Sequence, residues 1–183
     1  MRVLGVDPGL GRCGWAVLEG HGGRARAVDY GTVHTAGEQV APRLADHRPE
    51  ALAIERVFFN ANVRTAMTVG QASGVVLLLA AERSLPVSAY TPPQVKQAVT
   101  GSGSAPKEQV GYMVRTLLGL AAAPTPADTA DALAVALCHL NHAGLADGTG
   151  LGAGAGVVGS APAADWLARA APTSPGLAKG GGR

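Results

Sequence analysis

The chain has 183 residues, 47% of them hydrophobic and 15% charged, with a formal net charge of +2. That suits one domain, or one domain with a tail, large enough to bury a real core and too weakly basic for charge alone to announce a polyanionic partner. Two cysteines make no disulfide framework, no apolar stretch reaches membrane-spanning length and no apolar leader follows Arg2, so the expected compartment is the cytoplasm, with no membrane association.

Residues 2–17, RVLGVDPGLGRCGWAV, open with a short apolar run that suits a buried strand and ends on Asp7-Pro8-Gly9. Pro8 removes a backbone donor, and Gly9, Gly11 and Gly14 permit backbone angles that other residues avoid, so the Asp7 carboxylate is held at a strand tip. A hairpin turn would use the same residues, and Asp7 alone does not decide between turn and site. Residues 14–19 read as a second strand, His21-Gly22-Gly23 as a hairpin signal and residues 25–35 as a third strand, both antiparallel beside the first. Between Thr35 and Ala51 the only helix candidate is residues 42–47, closed by Pro49. Residues 51–54 form a fourth apolar strand that ends on Glu55, a second acid at a strand tip.

Residues 62–83 carry a long helical pattern, apolar nearly all round from Val75 to Ala81, which predicts burial on every side. Gly70 and Gly74 share one face, so this helix is expected to pack on the sheet and also against a second subunit. Residues 86–90 are a fifth strand. Thr91 is then an N-cap with Pro92 at the tolerated first helical position, and a helix runs to Gly101. A further helix begins near residues 104–106 and places Val110, Met113, Val114, Leu117 and Leu118 on one face. Residues 128–142, DTADALAVALCHLNH, are the last predicted helix. Beyond it the composition turns to Gly, Ala, Pro and Ser, with too little apolar surface to offset ordering entropy. The expected organisation is therefore an α/β domain over residues 1–143 and a disordered tail over residues 144–183.

Asp128 and Asp131 are three residues apart and share a helix face in the first turn, where the helix dipole favours ionised carboxylates. As an isolated pair they would be ornaments of that dipole. Together with Asp7 and Glu55 they make a possible four-acid cluster, whose mutual repulsion divalent cations would relieve. Hard oxygen ligands of this kind suit Mg²⁺ or Mn²⁺, and two such ions support phosphodiester hydrolysis without a covalent intermediate. With four acids assigned to cations, the remaining surface up to residue 142 is net basic and would meet a phosphate backbone. Cys138, His139 and His142 superficially resemble metal ligands. His139 lies about 12 Å along the helix from Asp131, so these residues are read instead as a helix C-terminus that favours imidazolium.

The runs VLGVDPGLGRCGW, LAIERVFF, VGQASGV, YTPPQVKQAVTGSGSAPKEQV and ADTADALAVALCH resemble, in order and interval, the RuvC family of Holliday junction resolvases over residues 1–142. The resemblance implies an RNase H-like fold: a mixed five-stranded sheet, three antiparallel strands followed by parallel ones, flanked by helices. It implies a homodimer, formed here through helix 62–83, that resolves four-way DNA junctions by paired Mg²⁺-dependent nicking in recombination and repair. Two Mg²⁺ per site are implied, with Mn²⁺ as a substitute, and so is a branch-migration motor complex as a further partner. The family's catalytic, metal-binding acids map onto Asp7, Glu55, Asp128 and Asp131. Its DNA-contacting basic residues map onto Lys96 and Lys107, and its junction-core aromatic onto Phe58, with Phe59 beside it. Exposed aromatics stack on unpaired bases, and the expectation is Phe58 exposed with Phe59 half-buried.

The segment 35–51 looks shorter than the family's, as if most of a helix were missing, and Leu10 replaces a small hydroxyl residue. Those departures define the alternative, a catalytically impaired protein of the same fold that still binds junctions. An actin-like nucleotide phosphotransferase also opens with a strand and an Asp-Gly loop, but it needs a second large lobe for which this chain is too short.

Overall fold

The computed structural model describes residues 1–9, 11–21, 24–34, 36–56, 63–146 and 161–162. β1 (Arg2–Pro8), β2 (Cys13–His21) and β3 (Arg24–Val33) form an antiparallel meander. On the other side of β1, β4 (Ala51–Glu55) and β5 (Pro86–Tyr90) run parallel to it. β1 is thus an interior strand covered on both faces, which is why it reads as a continuous apolar run instead of an alternation. Val3 faces one core cluster, while Leu4 and Val6 face the other.

The Leu4 face is covered by α1 (Ala36–His47) and α2 (Val63–Ala81), which bury Val40, Leu44, Val76, Leu77 and Ala80 against Leu52, Ile54 and Val87. The Val3 face is covered by α5 (Ala127–Ala146), with α3 (Pro92–Thr100) and α4 (Lys107–Leu117) packed around it through Val95, Val99, Val110 and Val114. Small residues let α5 lie directly on the strands. A Cβ added at Gly5 would overlap the Ala132 carbonyl oxygen, and one at Gly14 would overlap that of Asp128. α3 begins as expected: the Gln94 side chain accepts hydrogen bonds from the backbone N–H and the hydroxyl of Thr91, both at 2.9 Å. Gly101 ends it in the left-handed region at φ 78°.

Three expectations need correction. The segment 35–51 does not lack its helix: α1 has 12 residues and runs straight through Pro42. An internal proline costs a helical hydrogen bond, but Pro42 is on the exposed side while Val40 and Leu44, four apart, are buried. Arg43 further stacks its guanidinium over the Trp15 ring at 4.5 Å. The missing-helix ground for an impaired, binding-only protein is therefore removed.

Within one chain, α2 leaves one face uncovered. Met67 and Leu78 are 61% and 56% exposed, and a Cβ at Gly70 or Gly74 would meet nothing within 4 Å. The sheet has a sixth strand, β6 (Ala161–Pro162), paired antiparallel with Pro86 and Val87 of β5. It belongs to the stretch assigned to a disordered tail. α5 likewise continues to Ala146, past the boundary set at residue 143.

Candidate active site

Three elements converge where the C-terminal ends of β1 and β4 meet the N-terminus of α5. Val6 pairs with Ile54 in the parallel register, so the next residues, Asp7 and Glu55, stand side by side at adjacent strand tips. Alternation puts Asp7 on the face of Gly5, and Gly5 is where α5 rests. Asp7 also pairs across the sheet with Gly14, whose missing side chain admits the Asp128 backbone. Carboxylate oxygens of Asp7, Asp128 and Asp131 consequently lie within 4.8 Å of one another. Glu55 stands beside this trio and interacts electrostatically with Asp7 and Asp131.

Burial and repulsion set the protonation of the two strand-tip acids. Asp7 is pushed up to about 7, first by desolvation and then by the charges of Asp131 and Asp128. Glu55 is pushed up to about 8, again chiefly by desolvation, with Asp7 and Asp131 adding to it and Lys107 and Lys96 opposing. Two cations lean on the cluster. Lys107 Nζ is 2.6 Å from Asp131 Oδ2, and Arg12 Nε is 3.7 Å from Asp128 Oδ2. The hydrogen bond to Asp131 raises the Lys107 ammonium above its ordinary range, with burial opposing.

The residues fit a divalent cation. The donors are all hard carboxylate oxygens, they converge, and two side-chain cations are already drawn to them. Lys96 on α3 and Lys107 at the start of α4 line one cleft with Glu55 and Asp131, over an apolar floor that includes Val95 and Val110. Both sequence-selected lysines thus face the acids. Phe58 and Phe59 lie outside the described residues, as does Leu10.

Arg12 went unnoticed in the sequence; its signal was a basic residue between the glycines of the Asp7 turn. The histidine reading is corrected. His139 is interior to α5, buried, and held down to about 4 by desolvation and then by His142, so it is a neutral imidazole near pH 7. The Tyr90 hydroxyl and His139 Nδ1 are 2.9 Å apart, a hydrogen bond that ties β5 to α5 inside the core.

Comparisons with known proteins agree on one family. Residues 3–139 match the family model described as crossover junction endodeoxyribonuclease RuvC. A protein of that name from Frankia alni is 60% identical over 153 residues, which cover 76% of this chain and 78% of the relative. The solved Thermus thermophilus RuvC structure superposes with a TM-score of 0.73 at 42% identity, covering 80% of this chain and 97% of that one. T. thermophilus RuvC in complex with a Holliday junction substrate gives a TM-score of 0.75 at 41% identity, covering 80% and 96%.

Proposed function

This chain belongs to the RuvC family of crossover junction endodeoxyribonucleases, and we propose that Asp7, Glu55, Asp128 and Asp131 are its catalytic, metal-binding residues. It is an RNase H-like endonuclease that resolves four-way DNA junctions by paired nicking during recombination and repair. The observation that carries the site assignment is the convergence of three carboxylates within 4.8 Å, beside a lysine-lined cleft.

The four acids would hold two Mg²⁺, or Mn²⁺ in their place. The chemistry such ions would supply there is activation of a water and neutralisation of charge on the leaving oxygen. The protein's own groups do the rest. Buried Asp7 and Glu55 give up their protons as ions load, which makes loading pH-dependent. Lys96 and Lys107 grip phosphates flanking the scissile bond. Phe58 and Phe59, just past the β4 tip, stack on bases unpaired at the junction centre.

A four-way junction offers two symmetric strands, so two sites must act together. Met67, Val75 and Leu78 form an exposed apolar stripe on α2, with Gly70 and Gly74 leaving room for another backbone. That stripe is the homodimer contact we assign. We assign the nuclease domain to residues 1–143, extended by the last turn of α5 to Ala146, and the remainder to a tail, of which Ala161 and Pro162 pair with β5. Among the described residues no helix is long and apolar enough to cross a membrane. Both cysteines are buried free thiols, which suits the reducing cytoplasm where such DNA lies. A motor that moves the crossover to a cleavable position is the further partner this chemistry calls for.

The test is a labelled synthetic four-way junction incubated with Mg²⁺. Symmetric nicks near the crossover are expected with the wild type and none with Asp7→Asn. Failure to nick with either Mg²⁺ or Mn²⁺, or equal nicking by the variant, would overturn the assignment.

A further inference from the structure

Lys107 occupies an odd position for a lysine. It is the first residue of α4, where the helix dipole disfavours a cation, and its side chain is 60% exposed. Helix stability therefore does not account for it. What compensates the placement is Asp131: the Nζ–Oδ2 separation of 2.6 Å is the shortest ion pair among the described residues. The ammonium also feels Asp7 and Asp128, so it sits against the same three carboxylates that converge at the site.

An ammonium bonded to Asp131 and a divalent ion bound to the same carboxylate would repel at close range, and the oxygen cannot serve both fully. The lysine end of the pair is open to solvent, which screens the attraction and eases its release, and the freed side chain still lines the cleft that Lys96 shares. We propose that Lys107 is an exchangeable counter-ion. It neutralises Asp131 while the cluster lacks divalent ions, and metal loading displaces it onto a DNA phosphate in the adjoining cleft. This rests on the metal-dependent nuclease reading above. Metal and DNA then reinforce each other, because linkage makes the coupling reciprocal. Occupation of the acids frees a phosphate-binding cation, and a phosphate that captures Lys107 clears Asp131 for an ion.

The consequence runs opposite to that of an ordinary supporting residue: removing Lys107 tightens metal binding in the absence of DNA. The experiment is Mg²⁺ titration of the full chain by calorimetry, without DNA and at about pH 9, where Asp7 and Glu55 are ionised and proton release does not mask the effect, for wild type, Lys107→Met, Lys107→Arg and Lys96→Met. Lys107→Met is expected to bind Mg²⁺ about 5-fold tighter, Lys107→Arg to resemble wild type, and Lys96→Met to change less than Lys107→Met, since Lys96 feels Glu55 but makes no ion pair with an acid among the described residues.

A second arm measures four-way junction affinity with and without Ca²⁺, whose looser coordination suits binding better than hydrolysis. The gain on adding Ca²⁺ should be larger for wild type than for Lys107→Met. Unchanged or weaker Mg²⁺ affinity in Lys107→Met, alongside measurable binding by wild type, would overturn the exchange. Absence of Mg²⁺ binding by wild type would instead overturn the metal-centre reading on which it rests.

Discussion

Replacing Asp7 by Asn should stabilise the metal-free protein, and the gain should depend on pH. Asp7 rises from 3.8 to about 7 on folding, so the folded state binds its proton more tightly than the unfolded chain does. For a carboxylate shifted this way, stability is highest below the unfolded value and falls as pH rises toward the folded one. At about 1.36 kcal/mol per unit, the ionised Asp7 costs up to about 4 kcal/mol above pH 7. About 3 kcal/mol of that develops between pH 5 and pH 8.5. Asparagine cannot ionise and escapes the penalty. Whatever burying its amide costs is the same at both pH values, so it cancels in the comparison.

For a chain of this size, about 3 kcal/mol corresponds to a Tm change of roughly 6–12 °C. In EDTA, the Tm of Asp7→Asn minus that of wild type should therefore be larger at pH 8.5 than at pH 5 by up to that amount. Adding Mg²⁺ at pH 8.5 should raise the wild-type Tm and leave the variant nearly unmoved. A difference independent of pH would refute the claim that Asp7 is held in a desolvated, mutually repelling cluster.

Because Asp7 near 7 and Glu55 near 8 must both lose protons as ions load, Mg²⁺ affinity should climb steeply from pH 6.5 to 8.5; calorimetric titration at the two pH values checks it, and the two acids should titrate as a coupled pair. Gly14→Ala puts a Cβ into the Asp128 carbonyl, so α5 must lift. The expected result is a loss of about 1–3 kcal/mol in denaturant unfolding, with nicking nearly abolished although every acid is retained. Leu78→Asp charges the exposed stripe of α2; sedimentation should report a monomer of wild-type thermal stability, and cleavage of the two strands should lose its pairing.

Much of the site was legible in local patterns. An apolar run ending on Asp7, another ending on Glu55, and Asp128 three residues before Asp131 each mark an acid at the end of an element, and periodicity locates such ends well. Residues 86–90 and the Thr91 N-cap were equally plain, since strand length and capping chemistry are written within a few neighbours. α1 was misjudged because the rule that proline breaks helices is local, whereas the burial of Val40 and Leu44 beneath it is not. For α2 the all-apolar segment does not say whether its second face meets the same chain or another, and within one chain that face is uncovered. His139 looked like an imidazolium because its distance from the helix end was legible and its desolvation was not.

The sequence by itself determined the family, the α/β order of elements and which acids stand at element ends, for those depend on short runs and their spacing. Only the tertiary structure decided that Gly5 and Gly14 are landing points for α5, that Arg12 and Lys107 lean on Asp128 and Asp131, and that Asp7 and Glu55 resist ionisation. Those properties arise between residues as far apart in the chain as Asp7 and Asp131, where distance and exclusion of water, which no linear pattern encodes, set the energy.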